Sequence, residues 1–195
     1  MLTQAGRDQL RIEHRGSSLL YNIETARTVL PRAYRLAGEA SDALCVDMAL
    51  VKPEVGAPGL AVAPFFDGNP DKGERQVQPF RDLAVPLQDN VDRVPYLDFR
   101  TGGDATFSLG CRYYWKAQFP GDLPDAAFDA LIEAYCKAPS TGCLGVLQHV
   151  GVAIARVTQL RNVGRTDRDG AHLATCANPT RRAAVILGSK PDLQR

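Results

Sequence analysis

The sequence predicts an α+β domain: one antiparallel β-sheet with helices packed on one face. Three observations predict it. Residues 43–51 and 60–66 both suit strands, and the short turn between them makes an antiparallel hairpin. Apolar residues recur at helical spacing between Ile23 and Ala37, between Val77 and Leu83, and between Phe128 and Tyr135. The resulting order is strand, helix, strand, strand, helix, extended segment, strand, helix, strand, which lets the helices cover one face of the sheet.

Taken in order, residues 17–21 (SSLLY) suit a short strand, and Asn22 is placed to cap a helix. From Ile23 onward Ala26, Val29, Leu30, Ala33, Tyr34 and Ala37 recur at threes and fours. Pro31 falls inside that period, so the helix kinks or restarts there. In residues 43–51 (ALCVDMALV), Leu44, Val46, Met48 and Leu50 share one face, against Cys45, Asp47 and Ala49 on the other. Residues 53–59 (PEVGAPG) make a turn, and 60–66 (LAVAPFF) the second strand, whose Pro64 argues for an edge or a bulge. Residues 67–74 lead into a helix over 73–83 that Pro79 shortens or bends, and 83–99 is a mixed extended segment. Residues 111–119 (CRYYWKAQF) suit a strand. Asp122 or Pro124 opens the clearest helix, with Phe128, Leu131, Ile132 and Tyr135 on one face and Asp125, Asp129 and Glu133 on another. Residues 144–157 read as a buried strand bent at Gly151. Beyond Val157 the pattern degrades, with one further strand near 171–176 and a frayed end. The organisation is thus a lead-in over 1–16, an α+β domain over 17–178 and a tail over 179–195.

Composition narrows the function classes. The chain has 195 residues, 45% of them hydrophobic and 23% charged, as in ordinary globular proteins. Lys plus Arg is 23 and Asp plus Glu is 22, a balance that gives no basic footprint for nucleic acid or an anionic membrane. Five cysteines without CxxC spacing and three histidines make a metal site unexpected. The cysteines read as small apolar thiols in a reducing compartment. The polar start MLTQAGRDQLRIEHRG lacks the apolar core of a secretory signal, and no apolar run approaches the roughly 20 residues of a membrane helix. The expected location is cytoplasmic.

No GxSxG, Walker loop, HExxH or GxGxxG occurs. Three other features hold candidate site residues. Tyr113, Tyr114 and Trp115 with Lys116 either line a flat pocket or form a strand whose rings alternate between core and surface. Gln148 and His149 interrupt an apolar strand and need partners there; as neighbours they face opposite sides, so only one addresses a given pocket. The run RTDRDG (165–170) is either an anion-binding turn or a solvated one.

Several segments, in order, resemble the berberine-bridge-enzyme-like family of FAD-linked oxidoreductases. FFDGNPDKGERQVQPFRDL (65–83) resembles the family's strand, glycine turn and helix; VPYLDFRTGGD (94–104) is similar to its "pY..lQ..lD" segment. CRYYWKAQFPGDLPDAAFDALIEA (111–134) looks like its "YwKs" block, LQHVGVAIARV (147–157) resembles the "hh.GGAi.rv" strand, and GRTDRDGAHLAT (164–175) the "fpHRdg" segment. The match runs over roughly 19–175. It implies the central substrate-binding domain, an antiparallel sheet that roofs the flavin, with Tyr96, Tyr114, Lys116, Gln148, His149 and Arg168 as substrate-side residues. Tyr96, Tyr114, Gln148 and Arg168 are expected to border one cleft. Departures are Val152 at the second glycine and Asp167 at the usual histidine; the following strand has no carboxylate base, and His172 is a weak substitute.

In the family a separate N-terminal domain holds the FAD, and a closing segment follows the central domain. This chain begins where the flavin domain would end, so FAD is not expected to bind it alone and no cysteine takes the attachment role. The protein carries the orienting role in such a hydride transfer while the cofactor carries the chemistry. Three readings remain: a substrate domain inactive by itself, a subunit of a split enzyme whose partner is a separate flavin-binding chain, and a binding or scaffold protein that kept the fold.

Overall fold

The computed structural model describes residues 13–16, 18–52, 57–101, 114–118, 123–138, 142–149 and 183–189. They form nine strands: β1 (Glu13–Gly16), β2 (Leu19–Asn22), β3 (Leu44–Val51), β4 (Gly59–Phe66), β5 (Gln88–Asp89), β6 (Asp92–Pro95), β7 (Tyr114–Gln118), β8 (Leu144–His149) and β9 (Ala183–Ser189). The helices are α1 (Ala26–Glu39), α2 (Pro70–Arg81), α3 (Tyr96–Thr101) and α4 (Asp125–Cys136). The strands make one sheet in the order β5-β2-β4-β3-β8-β9-β7, with β1 pairing β4 and β6. Every pairing is antiparallel. The α+β class expected from the sequence is the class observed.

Alternation decides which face is covered. In β3 and β4, Leu50 lies opposite Leu60, Met48 opposite Val62 and Leu44 opposite Phe66. All six are buried, in one core with Val29, Leu30 and Ala33 of α1, Val77 and Phe80 of α2, and Phe128 and Ile132 of α4. The three long helices therefore pack on one side of the sheet, and burying these side chains is the main stabilising term.

The helix starts follow local chemistry. The Asn22 side chain accepts from the Glu24 N–H at 3.1 Å, opening a 3-10 turn over Ile23–Thr25 that runs into α1. The helix then passes Pro31 without a break. Pro31 is buried, and the packed apolar face around it offsets the backbone bond that its ring removes. Asn69 caps α2 by accepting from the Asp71 and Lys72 N–H groups, with Pro70 in the first turn, where a missing N–H costs nothing. Arg81 at the end of α2 reaches Glu74 at 2.6 Å, Asp89 at 2.6 Å and the Val91 carbonyl at 3.1 Å, fastening the helix to the β5–β6 corner. The Tyr21 hydroxyl donates to the Phe80 carbonyl at 2.6 Å, joining β2 to α2. Burial pushes that phenol up to about 12.

Four local expectations are corrected. Pro64 lies neither at a sheet edge nor in a bulge: β4 is an interior strand, paired in regular register with β3. On its other flank β4 pairs with β2 through Val62 and with β1 from Phe65, so Pro64 falls where the partner changes and its missing N–H breaks no ladder there. Residues 96–101 are helical rather than extended, because Tyr96 and Phe99, one turn apart, both pack on Phe65. Ala183–Ser189, read from sequence as part of a tail, is strand β9 between β8 and β7. Glu13–Gly16, read as lead-in, is strand β1. The bend at Gly151 and the strand near 171–176 lie outside the described residues.

Candidate functional site

The sheet face away from the long helices is built by the alternate register. Asp47 stands between Ala63 of β4 and Gln148 of β8, Ala49 between Ala61 and Val146, and Cys45 opposite Phe65. Three alanines thus make a shallow floor around one acid and one amide. The aromatic wall comes from Phe65, whose ring centroid is 4.5 Å from that of Phe99 and 6.2 Å from that of Tyr96.

Asp47 is the chemically distinctive group. Gln148 Nε2 donates to its Oδ2 at 3.3 Å, while Oδ1 is buried without a hydrogen-bond partner. Burial raises the carboxyl above the usual 3.8, and the Gln148 bond pulls it down by less. The fold therefore favours the protonated form. A carboxyl raised in the folded state contributes most below the unfolded value, and stability falls as pH rises through the folded value. Asp47→Asn is accordingly expected to be more stable than the parent by about 1 kcal/mol at pH 8. The gap should close as pH falls toward 3.8. Urea unfolding at pH 8 and pH 4 checks this; a parent that outlasts the variant at pH 8 contradicts it.

Cys45 sits one register step away, its thiol donating to the His149 carbonyl at 3.5 Å. Burial, then the neighbouring Asp47, pushes it up to about 11. It stays a thiol at neutral pH and is no nucleophile there. Among the described residues no three His, Cys, Asp or Glu side chains are grouped to hold a metal, and no helix is long and apolar enough to cross a membrane.

The residues singled out from sequence divide. Gln148 and Tyr96 belong to this face away from the long helices, Tyr96 through its contact with Phe65; it is 36% exposed. His149 alternates with Gln148 and is 8% exposed on the helix-covered side. Lys116 pairs with Leu187, Leu187 with Gly145 and Gly145 with Leu50, so Lys116 and Tyr114 occupy register positions of the helix-covered face. Tyr114, 60% exposed, therefore does not join Gln148 in one cleft. The cause is phase: the intervening β9 sets the pairing of β7 with β8. Arg168 and His172 lie outside the described residues. Asp47, Phe65 and Phe99 were missed as site residues. The signal for Asp47 was present, an acid at the centre of an alternating apolar strand.

No family model matches the sequence, and no curated protein matches it. Solved structures do. Berberine bridge enzyme from Eschscholzia californica superposes with TM-score 0.67 at 12% identity, over 93% of this chain and 36% of that one. The fold is shared with part of an oxidase. Chitooligosaccharide oxidase gives TM-score 0.68 at 11% identity over 94% of this chain and 40% of that one. 6-hydroxy-D-nicotine oxidase from Arthrobacter nicotinovorans gives 0.61 at 16% identity over 91% and 38%. At such identities the likeness establishes the fold alone. The chain spans well under half the length of these FAD-linked oxidases.

Proposed function

We propose that the chain is the substrate-side domain of an FAD-linked oxidoreductase acting on an alcohol, a sugar or a similar small organic molecule. The observation that carries the proposal is the sheet face away from the long helices, where a partly buried acid–amide pair stands in a floor of alanines on a fold shared with such oxidases. A flat floor of small side chains fits one face of a planar ring. The described residues of that face offer no basic side chain for a diphosphate, and the sequence has no GxGxxG turn. The residues thus fit the ring side of a flavin site and not the dinucleotide, so in this reading the FAD is held by residues outside the chain, including those of a separate flavin-binding chain. A bound flavin would accept the hydride. The chain's own part is to bind the substrate, orient its reacting carbon and exclude water.

The test is the visible spectrum of the purified chain with excess FAD. The expected result is an unperturbed free-flavin spectrum, and substrate-dependent bleaching only once a flavin-holding partner is added. A shifted, bound-flavin spectrum from the chain alone would overturn the placement of the cofactor.

A further inference from the structure

We infer that the groove between α1 and α2 is where a second copy of this chain docks, the two α1 helices crossing in antiparallel sense about a two-fold axis. The inference is independent of the substrate-side reading. The groove has a volume of about 440 Å³, and its apolar lining is Leu36 of α1 with Pro79 and Leu83 at the end of α2. Its α1 wall carries Arg32, Leu36 and Glu39, whose spacing puts them on one stripe of the helix. Arg35 and Asp82 also line it, but each is already bonded, Arg35 to Asp125 and Asp82 to Gln78. Arg32 and Glu39 are exposed, and neither makes an ion pair among the described residues. A two-fold interface must be complementary to itself, because each contact is made twice. Arg32 and Glu39 meet that condition: they stand about 10 Å apart along the helix axis, with Leu36 between them. An antiparallel crossing beside Leu36 sets Arg32 of each copy opposite Glu39 of the other, whereas a parallel one sets like charges together. A small ion of either sign would meet an opposing charge on this rim; a second copy presents both signs in the matching order. The second observation is apolar. Just beyond Leu83, Val85 is 91% exposed and Leu87 60%. Pro86 between them restricts the backbone and holds both at the surface, where a docked copy would take them out of water.

The experiment is sedimentation equilibrium of the full 195-residue chain at low salt. The parent is compared with Arg32→Glu, Glu39→Arg and the double variant that carries both. The parent is expected to pass from monomer to dimer between about 1 µM and about 500 µM. Each single reversal should weaken the dimer at least about tenfold, since one substitution sets like charges together at both ends of a two-fold interface. The double variant restores opposite charges in swapped order and should return to within about threefold of the parent. Both side chains are exposed, so far-UV circular dichroism should show the same fold in all four proteins. A parent that stays monomeric over the whole range would overturn the inference and leave the groove to a different molecule. A dimer that ignores the single reversals, or a double variant no tighter than the singles, would also overturn it, because the copies would then meet elsewhere.

Discussion

Phe128→Ala should destabilise the fold by about 3–5 kcal/mol. Phe128 is 1% exposed and projects from α4 into the core, where its ring meets the edge of Tyr34 on α1 with centroids 5.3 Å apart. Truncation removes the transfer gain of a whole ring and leaves a cavity between two helices that are each fixed to the sheet. Neither helix can close the gap without giving up its other contacts, such as Ile132 and Tyr135 of α4. The alternative account of the α1–α4 docking is ionic, since Arg27 meets Asp129 at 2.6 Å and Arg35 pairs with Asp125. Those four side chains are more than half exposed, and pairs of that kind contribute about 0–1 kcal/mol. Urea unfolding decides between the accounts. The expected variant has a lower midpoint and an unchanged slope, while Arg27→Ala scarcely moves. A Phe128→Ala loss below about 1 kcal/mol would mean that the ring is not what seats α4.

What the sequence made legible is what depends on near neighbours. The alternation of 43–51 placed Leu44, Val46, Met48 and Leu50 on the buried face, and Asn22 marked a helix start, because each signal spans only a few residues. What stayed hidden depends on partners far along the chain. The run AAVIL reads in isolation as a short apolar stretch of a tail, yet β8 and β7 on either side make it an interior strand. The side of the sheet that Tyr114 and Lys116 occupy is fixed by the phase of that strand, and nothing local to CRYYWKAQF encodes it. Asp47 was placed on the correct face from its own strand, but its importance arises from β4 and β8 closing around it. A lone acid in an alternating strand says only that the position is unusual; the buried oxygen is a property of three strands together.

Gly59→Val should cost about 3 kcal/mol, chiefly by parting β2 from β4. Gly59 pairs with Asn22 on one side and Val51 on the other. A Cβ at this position would lie 2.8 Å from the Tyr21 carbonyl oxygen and 3.0 Å from Leu20 Cδ1. The Leu20 methyl can rotate away. The Tyr21 carbonyl cannot, because it belongs to the backbone of β2, so relief requires the whole strand to move. That movement has a second consequence, since Tyr21 is also the residue whose hydroxyl donates to the Phe80 carbonyl at 2.6 Å and ties β2 to α2. Shifting β2 therefore strains a bond on the opposite flank of the strand and admits water to a buried phenol. Two measurements read these effects separately. Urea unfolding gives the loss in stability. The alkaline titration of tyrosine absorbance should show one phenol moving down from about 12 toward the ordinary 10.0. Gly59→Ala should show the same two changes at smaller size, because the contact is made by the Cβ itself. If Gly59→Val keeps both the parental stability and the late-titrating phenol, β2 yields at this point without cost, and the close approach of the two strands is not what requires glycine here.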